Sequence, residues 1–199
     1  TISHGLLEQP KFVIIKDLKN ANAWAVQHVG TTLGTGLLKL NATNAVDNTV
    51  ASAVWNSTAP TSSFFSVGTS GDVNYTTNSA EYIAYLWHDV PGLQKFGTYE
   101  GNNSTDGPYI ELGFRPSIII FKNIDSGTPN WEIYDFTERD KTNPYGKVLS
   151  PNTTGAESDV SGSYPADALS KGIKIRHNGA AVNAANTYVY MAWAEAPSV

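Results

Sequence analysis

The sequence predicts an all-β protein built from two tandem β-sandwich modules, jelly-roll-like or lectin-like, related by internal duplication. Three observations predict it. An ordered series of matching blocks recurs at a nearly constant offset, the apolar runs are short and rich in β-branched and aromatic residues, and no stretch holds an amphipathic 3.6-residue period over three turns.

The repeat opens with Pro10–Leu18, which aligns with Pro116–Ile124 at an offset of 106, both reading as Pro, an apolar run and Lys. Trp24 and His28 then align with Trp131 and Asp135 at an offset of 107, and Asn41, Thr43 and Ala45 align with Asn152, Thr154 and Ala156 at 111. Val73-Asn74 matches Val182-Asn183, and Tyr82–Pro91 matches Tyr188–Pro197 at 106 again. The Pro-led and Tyr-led runs are apolar on both alternate faces, so they are expected as central strands covered on both sides. The segments Trp24–His28 and Trp131–Asp135 alternate more and are expected to have one solvated face. Helix is expected only weakly, over Ala42–Trp55 and in a single turn around Ala166–Ser170.

Between the copies, residues 96–115 read as two strands around a Gly/Asn turn, a linking β-hairpin that opens the second module. The expected modules are therefore 1–95 and 96–199. The second hairpin arm, Tyr109–Phe114, resembles Thr1–Leu6, so the first copy is expected to lack its first arm. Together with a start at Thr1 that lacks an initiator Met or a signal peptide, this reads as a segment of a longer protein carrying the arm, and further copies, upstream.

Composition narrows function. Of the 199 residues 16% are charged, the net charge is -5, and there is no Lys/Arg cluster, so phosphate neutralisation and hence nucleic-acid binding are not expected. No apolar run approaches the length of a spanning helix, so membrane insertion is not expected. Without cysteine there is no disulfide framework and no thiolate metal site. His4, His28, His88 and His177 lack metal-ligand spacing, so neither a metal nor a cofactor is expected. Gly30–Gly36 is Gly-rich but lacks the Lys-Ser/Thr ending of a phosphate loop and reads as a turn. No Gly-x-Ser-x-Gly elbow is present. A glycosidase pair could be drawn from Glu100, Asp135, Glu138, Asp140 and Glu195, yet the counterpart of Asp135 is His28, a different chemical group. No catalytic residue is assigned, and the chain is expected not to be an enzyme.

Ligand contact is a separate matter. Trp24 and Trp131, with His28 and Asp135 nearby, could stack on a sugar ring, although recurrence at one repeat position more often marks core aromatics. Trp87 and Trp193, within apolar strands, are expected in the core. Trp55 has no Trp counterpart, copy 2 offering Tyr164, and it sits among Asn, Ser and Thr, which makes it a ligand candidate. The polar tip Gly101–Asp106, with Asn102, Asn103 and Asp106, is expected to be an exposed contact loop.

The order Tyr99-Glu100-Gly101-Asn102, Asp106-Gly107-Pro108, Gly113–Pro116, Lys122, Trp131 with Asp135, Asn143-Pro144 and Leu149 resembles modules of bacteriophage tail-fibre and other tail-associated virion proteins, especially marine ones. His4–Leu6, Trp24–Val26, Leu40–Thr43, Trp55–Ser63 and Tyr82–Tyr85 resemble the companion module of the same proteins. Gln27 stands where related modules often have Tyr, and Leu7-Glu8 where they have Gly. The resemblance implies a non-enzymatic virion structural segment of a tail fibre, spike or decoration protein, made in the host cytoplasm and active in host attachment. Implied partners are other virion proteins, further copies of itself as a homo-oligomer such as a trimer, and a host surface glycan. A free-standing carbohydrate-binding, lectin-like module is the alternative, and a glycan-cleaving enzyme ranks behind it.

Overall fold

The computed structural model describes residues 1–76, 79–137, 143, 145–159 and 166–195. It is all-β, with several antiparallel sheets and almost no helix. The chain divides into two compact units, Thr1–His88 and Asp89–Val199.

The first unit contains β1 (Ile2–Ser3), β2 (Phe12–Asp17), β3 (Ala25–His28), β4 (Leu38–Lys39), the short helix α1 (Ala51–Trp55), β5 (Phe64–Phe65) and β6 (Tyr82–Trp87). Its main sheet has the order β4-β3-β2-β6, and β1 pairs separately with β5. Val13 and Ile15 of β2 alternate onto one face, where they pack with Ala25, Leu37, Val54, Trp55, Phe65 and Val73.

The second unit contains β7 (Gln94–Glu100), β8 (Tyr109–Glu111), β9 (Pro116–Asn123), β10 (Glu132–Asp135), β11 (Lys147–Val148), β12 (Ser158–Asp159), β13 (Ala166–Leu169), β14 (Gly172–Ile175) and β15 (Thr187–Ala194). Its main sheet has the order β10-β9-β15-β7, a second sheet has the order β13-β14-β8, and β11 pairs with β12. One buried cluster holds Ile119, Phe121, Tyr134 and Tyr188 from the main sheet together with Ile110, Ala166, Ile173 and Ile175 from the second.

The two units use the same strand register. Phe12 lies opposite His28 and Trp87, and Ile118 lies opposite Asp135 and Trp193. Val26 faces Leu38 as Ile133 faces Leu149. The turns agree as well. Asp17 Oδ1 accepts the N–H groups of Lys19 and Asn20, and Asn123 Oδ1 accepts those of Asp125 and Ser126. Burial works against ionisation of Asp17, yet bonds from Asn20, Lys19 and Asn22 hold its carboxyl well below the usual range. A fixed Asx turn therefore sets each β2–β3 or β9–β10 reversal, with or without a charge.

The backbone N–H of Trp24 donates to Asn41 Oδ1, and that of Trp131 donates to Asn152 Oδ1, each at 2.9 Å. Replacing Asn152 with Ala leaves the N–H of the buried Trp131 without its acceptor. Asn152→Ala is expected to cost about 1–2 kcal/mol, read as a lower denaturation midpoint of the second unit.

Several elements differ from the sequence expectation. Residues 96–115 supply two strands but not a hairpin: β7 pairs with β15, and β8 pairs with β14. Local turn chemistry is overridden there by long-range pairing. The Ala42–Trp55 region is helical only over Ala51–Trp55, and Ala166–Leu169 is a strand paired with β14. β6 is an edge strand, half-exposed along most of its length, rather than a central one. Trp87 and Trp193 are likewise only partly buried. β3 is buried throughout instead of having a solvated face.

Gln27 on β3 is buried, and its Nε2 has no hydrogen-bond partner. Its register counterpart is Tyr134. Gln27→Leu removes an unsatisfied donor at similar volume, so it is expected to raise the unfolding free energy of the first unit by about 1 kcal/mol. Chemical denaturation of the two chains side by side measures this.

Candidate functional site

Register places Asp135 on β10 beside Ile118 at the start of β9, and Glu195 follows β15 at the same end. The Phe136 N–H donates to the Ser117 carbonyl at 2.8 Å and the Glu195 N–H to the Arg115 carbonyl at 3.1 Å, so three chain segments converge. They border a cleft of about 650 Å³ lined by Arg115, Ser117, Ile118, Asp135, Phe136, Thr137 and Glu195. Asp135 Oδ1 accepts the Thr137 N–H at 3.1 Å and the Thr137 hydroxyl at 3.2 Å. The Ser117 and Thr137 hydroxyls are 2.9 Å apart, and Arg115 Nε donates to Glu195 Oε2 at 3.1 Å. The cleft thus offers carboxylates, hydroxyls and one guanidinium over an exposed Ile118, a lining suited to hydroxyl-bearing molecules.

The other sequence candidates separate sharply. Trp24 is 36% exposed, with Lys16 Nζ lying 5.9 Å from its ring centroid, a cation–π arrangement. Trp131 and Trp55 are fully buried, and Trp55 Nε1–H donates to the Gly36 carbonyl at 3.0 Å. His28 is buried too: its Nδ1 accepts the Gly30 N–H at 3.0 Å and its ring meets Phe12 edge-on. These three are corrected from ligand candidates to framework residues, because a ring enclosed by core atoms has no face to offer a ligand. Trp55, in a polar stretch of sequence, is the buried last residue of the short helix α1.

Asn102, Asn103 and Asp106 are exposed, as expected, but they are tied down. Asn102 N–H donates to Asn183 Oδ1 at 2.9 Å, Asn183 Nδ2 donates back to Asn102 Oδ1 at 3.0 Å, and Asn103 N–H donates to the Asn183 carbonyl. Asp106 pairs with Lys174 at 2.7 Å, which holds its carboxyl below the usual range. The loop is a fixed polar surface rather than a loose one.

Two ionisable groups withdrawn from water, Lys122 fully and Glu132 partly, are not singled out by the sequence. Lys122 is fully buried, donates to the carbonyls of Asn123 and Pro129, and is pushed down to about 8 by burial. Glu132 is pushed up to about 7 by burial, partly offset by a hydrogen bond with Ser150, and its Oε2 has no hydrogen-bond partner. The signal for Glu132 was present: it alternates with Tyr134 and Phe136, which face the core. Among the described residues no group of three or more His, Asp or Glu is placed to hold a metal, and no helix is long and apolar enough to cross a membrane. Glu138, Asp140 and Tyr164 lie outside the described residues.

No curated protein and no solved structure matches the chain. A family model described as a domain of unknown function, DUF7483, matches residues 1–197.

Proposed function

The chain belongs to the DUF7483 family, and from that premise we propose that it is a non-enzymatic structural segment of a bacteriophage virion appendage, made of two duplicated β-sandwich modules. One observation carries the reading. The framework is kept rung for rung between the units, whereas side chains able to do chemistry are not: His28 stands opposite Phe12 where Asp135 stands opposite Ile118, and Ala25 pairs with Ile15 where Glu132 pairs with Phe121. A repeat that preserves register and pins but exchanges functional groups fits selection for architecture. The virion assignment draws on the sequence resemblance to tail-fibre and tail-associated modules, and with it come the appendage role, self-assembly and attachment to the host surface.

Particle fractionation tests it. The chain is expected to co-purify with infectious particles through density centrifugation, and its recovery only in the soluble lysate overturns the reading.

A specific observation favours carbohydrate binding as the second reading: Trp24 presents an exposed aromatic face beside Lys16. On a glycan array, binding that Trp24→Ala abolishes without change in melting temperature supports this reading. A uniformly blank array removes it.

A further inference from the structure

The register shared by the units covers β3, β2 and β6 in one main sheet and β10, β9 and β15 in the other, and it stops at β7, which has no counterpart beside β6. In the second unit β15 is flanked on both sides, by β9 and by β7, and Tyr188 through Ala192 are all buried. Their counterparts on β6, Tyr82 through Leu86, are half-buried or exposed, with Tyr85 at 43%, because β6 is hydrogen-bonded to β2 alone in its sheet. The other three edges of these sheets each carry charge: Lys39 on β4, Asp135 on β10, Lys95 and Glu100 on β7. β6 reads Tyr-Ile-Ala-Tyr-Leu-Trp and carries none. Edge strands without charge or a bulge are templates for pairing with another strand.

Beside that edge the first unit has an apolar groove of about 280 Å³, lined among others by Ile15, Phe65, Val73, Tyr82, Ala84 and Leu86. At the matching place in the second unit sits the buried side chain of Tyr99 from β7. Tyr99 stacks on Tyr188 at 5.0 Å, meets Phe121 edge-on at 5.7 Å, and its hydroxyl donates to the Val182 carbonyl at 2.6 Å. The counterparts of those three residues, Tyr82, Ile15 and Val73, all line the groove. Even the support behind the stack is the same. Tyr82 Oη donates to the Gly71 carbonyl and accepts the Tyr75 N–H, as Tyr188 Oη does with Ala180 and Ala184.

We propose that the outer edge of β6 and its groove form a binding site for an extended strand of β7's chemistry, paired antiparallel along Tyr82–Trp87 with an aromatic side chain seated in the groove opposite Tyr82. The proposal rests on the repeat reading above. The occupant is a partner strand from outside residues 1–199, since β7 itself is registered against β15 from Gln94 to Glu100. Main-chain hydrogen bonds supply the affinity and the aromatic supplies the specificity, as in other strand additions. The site is less demanding than its counterpart in one respect. A Cβ at Gly97 would lie 2.7 Å from Tyr190 Oη, which obliges β7 to carry glycine there, whereas Ala84 in the first unit leaves room for a side chain.

The test adds a synthetic peptide of residues 92–101 to the full 199-residue chain and follows backbone amide exchange. Exchange at residues 82–87 is expected to slow by about 10-fold or more at saturation, and a Tyr99→Ala peptide is expected to bind about 10-fold more weakly. A second protein carries a copy of residues 92–108 joined directly ahead of Thr1. It is expected to protect the same amides and raise the melting temperature of the first unit, and a Thr98→Pro change in the added strand is expected to cancel both. The proposal is overturned if neither the peptide nor the joined strand protects residues 82–87, or if the Tyr99→Ala peptide binds equally well. It is also overturned if the unmodified chain forms concentration-dependent dimers that already protect β6, which would assign the edge to a second copy. Absence from particles leaves this result intact, and absence of protection leaves the virion reading intact, so the two fail separately.

Discussion

Trp55→Ala is expected to destabilise the first unit by about 3–5 kcal/mol, enough to leave a marginally stable domain largely unfolded at physiological temperature. The indole is buried in the cluster with Val13, Ile15 and Val54, and its N–H satisfies the Gly36 carbonyl at 3.0 Å. Truncation removes the largest side chain of that core, leaves a cavity, and orphans an acceptor in the turn that precedes β4. Trp55→Phe keeps much of the volume and loses only the hydrogen bond and part of the packing, so it should fall between wild type and Ala. Thermal denaturation followed by amide exchange assigns the loss to residues 1–88. An unchanged melting temperature for Trp55→Ala sinks this account. The prediction also changes how any binding assay is read: lost glycan binding in a Trp55 variant reports unfolding, while Trp24→Ala tests the surface.

Glu132 makes the second unit sensitive to pH near neutrality. Its carboxyl sits at about 7 in the native protein against an ordinary value of 4.5, because burial disfavours the charged form. Between these values the folded state holds a proton that the unfolded chain has released. The contribution is therefore fully present below 4.5 and is lost as pH rises through about 7. The loss amounts to about 3 kcal/mol in all. Lys122, held near 8 against an ordinary 10.5, changes stability only above that window, so measurements from pH 5 to 7.5 isolate Glu132. Glu132→Gln is expected to flatten stability across that window and to raise the melting temperature at pH 7.5. A wild-type midpoint that stays level from pH 5 to 7.5 contradicts the assignment.

What could be read in the sequence was the part governed by order and spacing. The offsets linking Phe12 to Ile118, His28 to Asp135 and Trp87 to Trp193 reappear as matched rungs in the two sheets. Placement within a layer was not legible. Tyr82–Trp87 and Tyr188–Trp193 share a pattern, yet only the second is covered, since coverage depends on whether a β7 is present and not on the strand's own residues. The Gly/Asn-rich stretch after Glu100 reads as a hairpin turn because turn propensity is local, while the partners chosen by β7 and β8 lie some 90 and 60 residues away. The same holds for Trp55, whose polar neighbours in sequence are not its neighbours in space. Of the candidate site, the carboxylates Asp135 and Glu195 stand out in the sequence and Arg115, Ser117 and Thr137 do not, because converging strand ends are set by register rather than by motif.

The β7–β15 pair has one further consequence. Gln94 lies directly opposite Trp193, so the chain comes into the second unit's main sheet and leaves it on one rung. The two points are separated by about 5 Å, a single strand spacing. Everything from 94 to 193 is thus a closed excursion, and excising or inserting it alters the distance between flanking segments very little. Such a segment behaves as a genetic cassette, able to be copied, lost or exchanged between genes while neighbouring parts of the protein keep their fold.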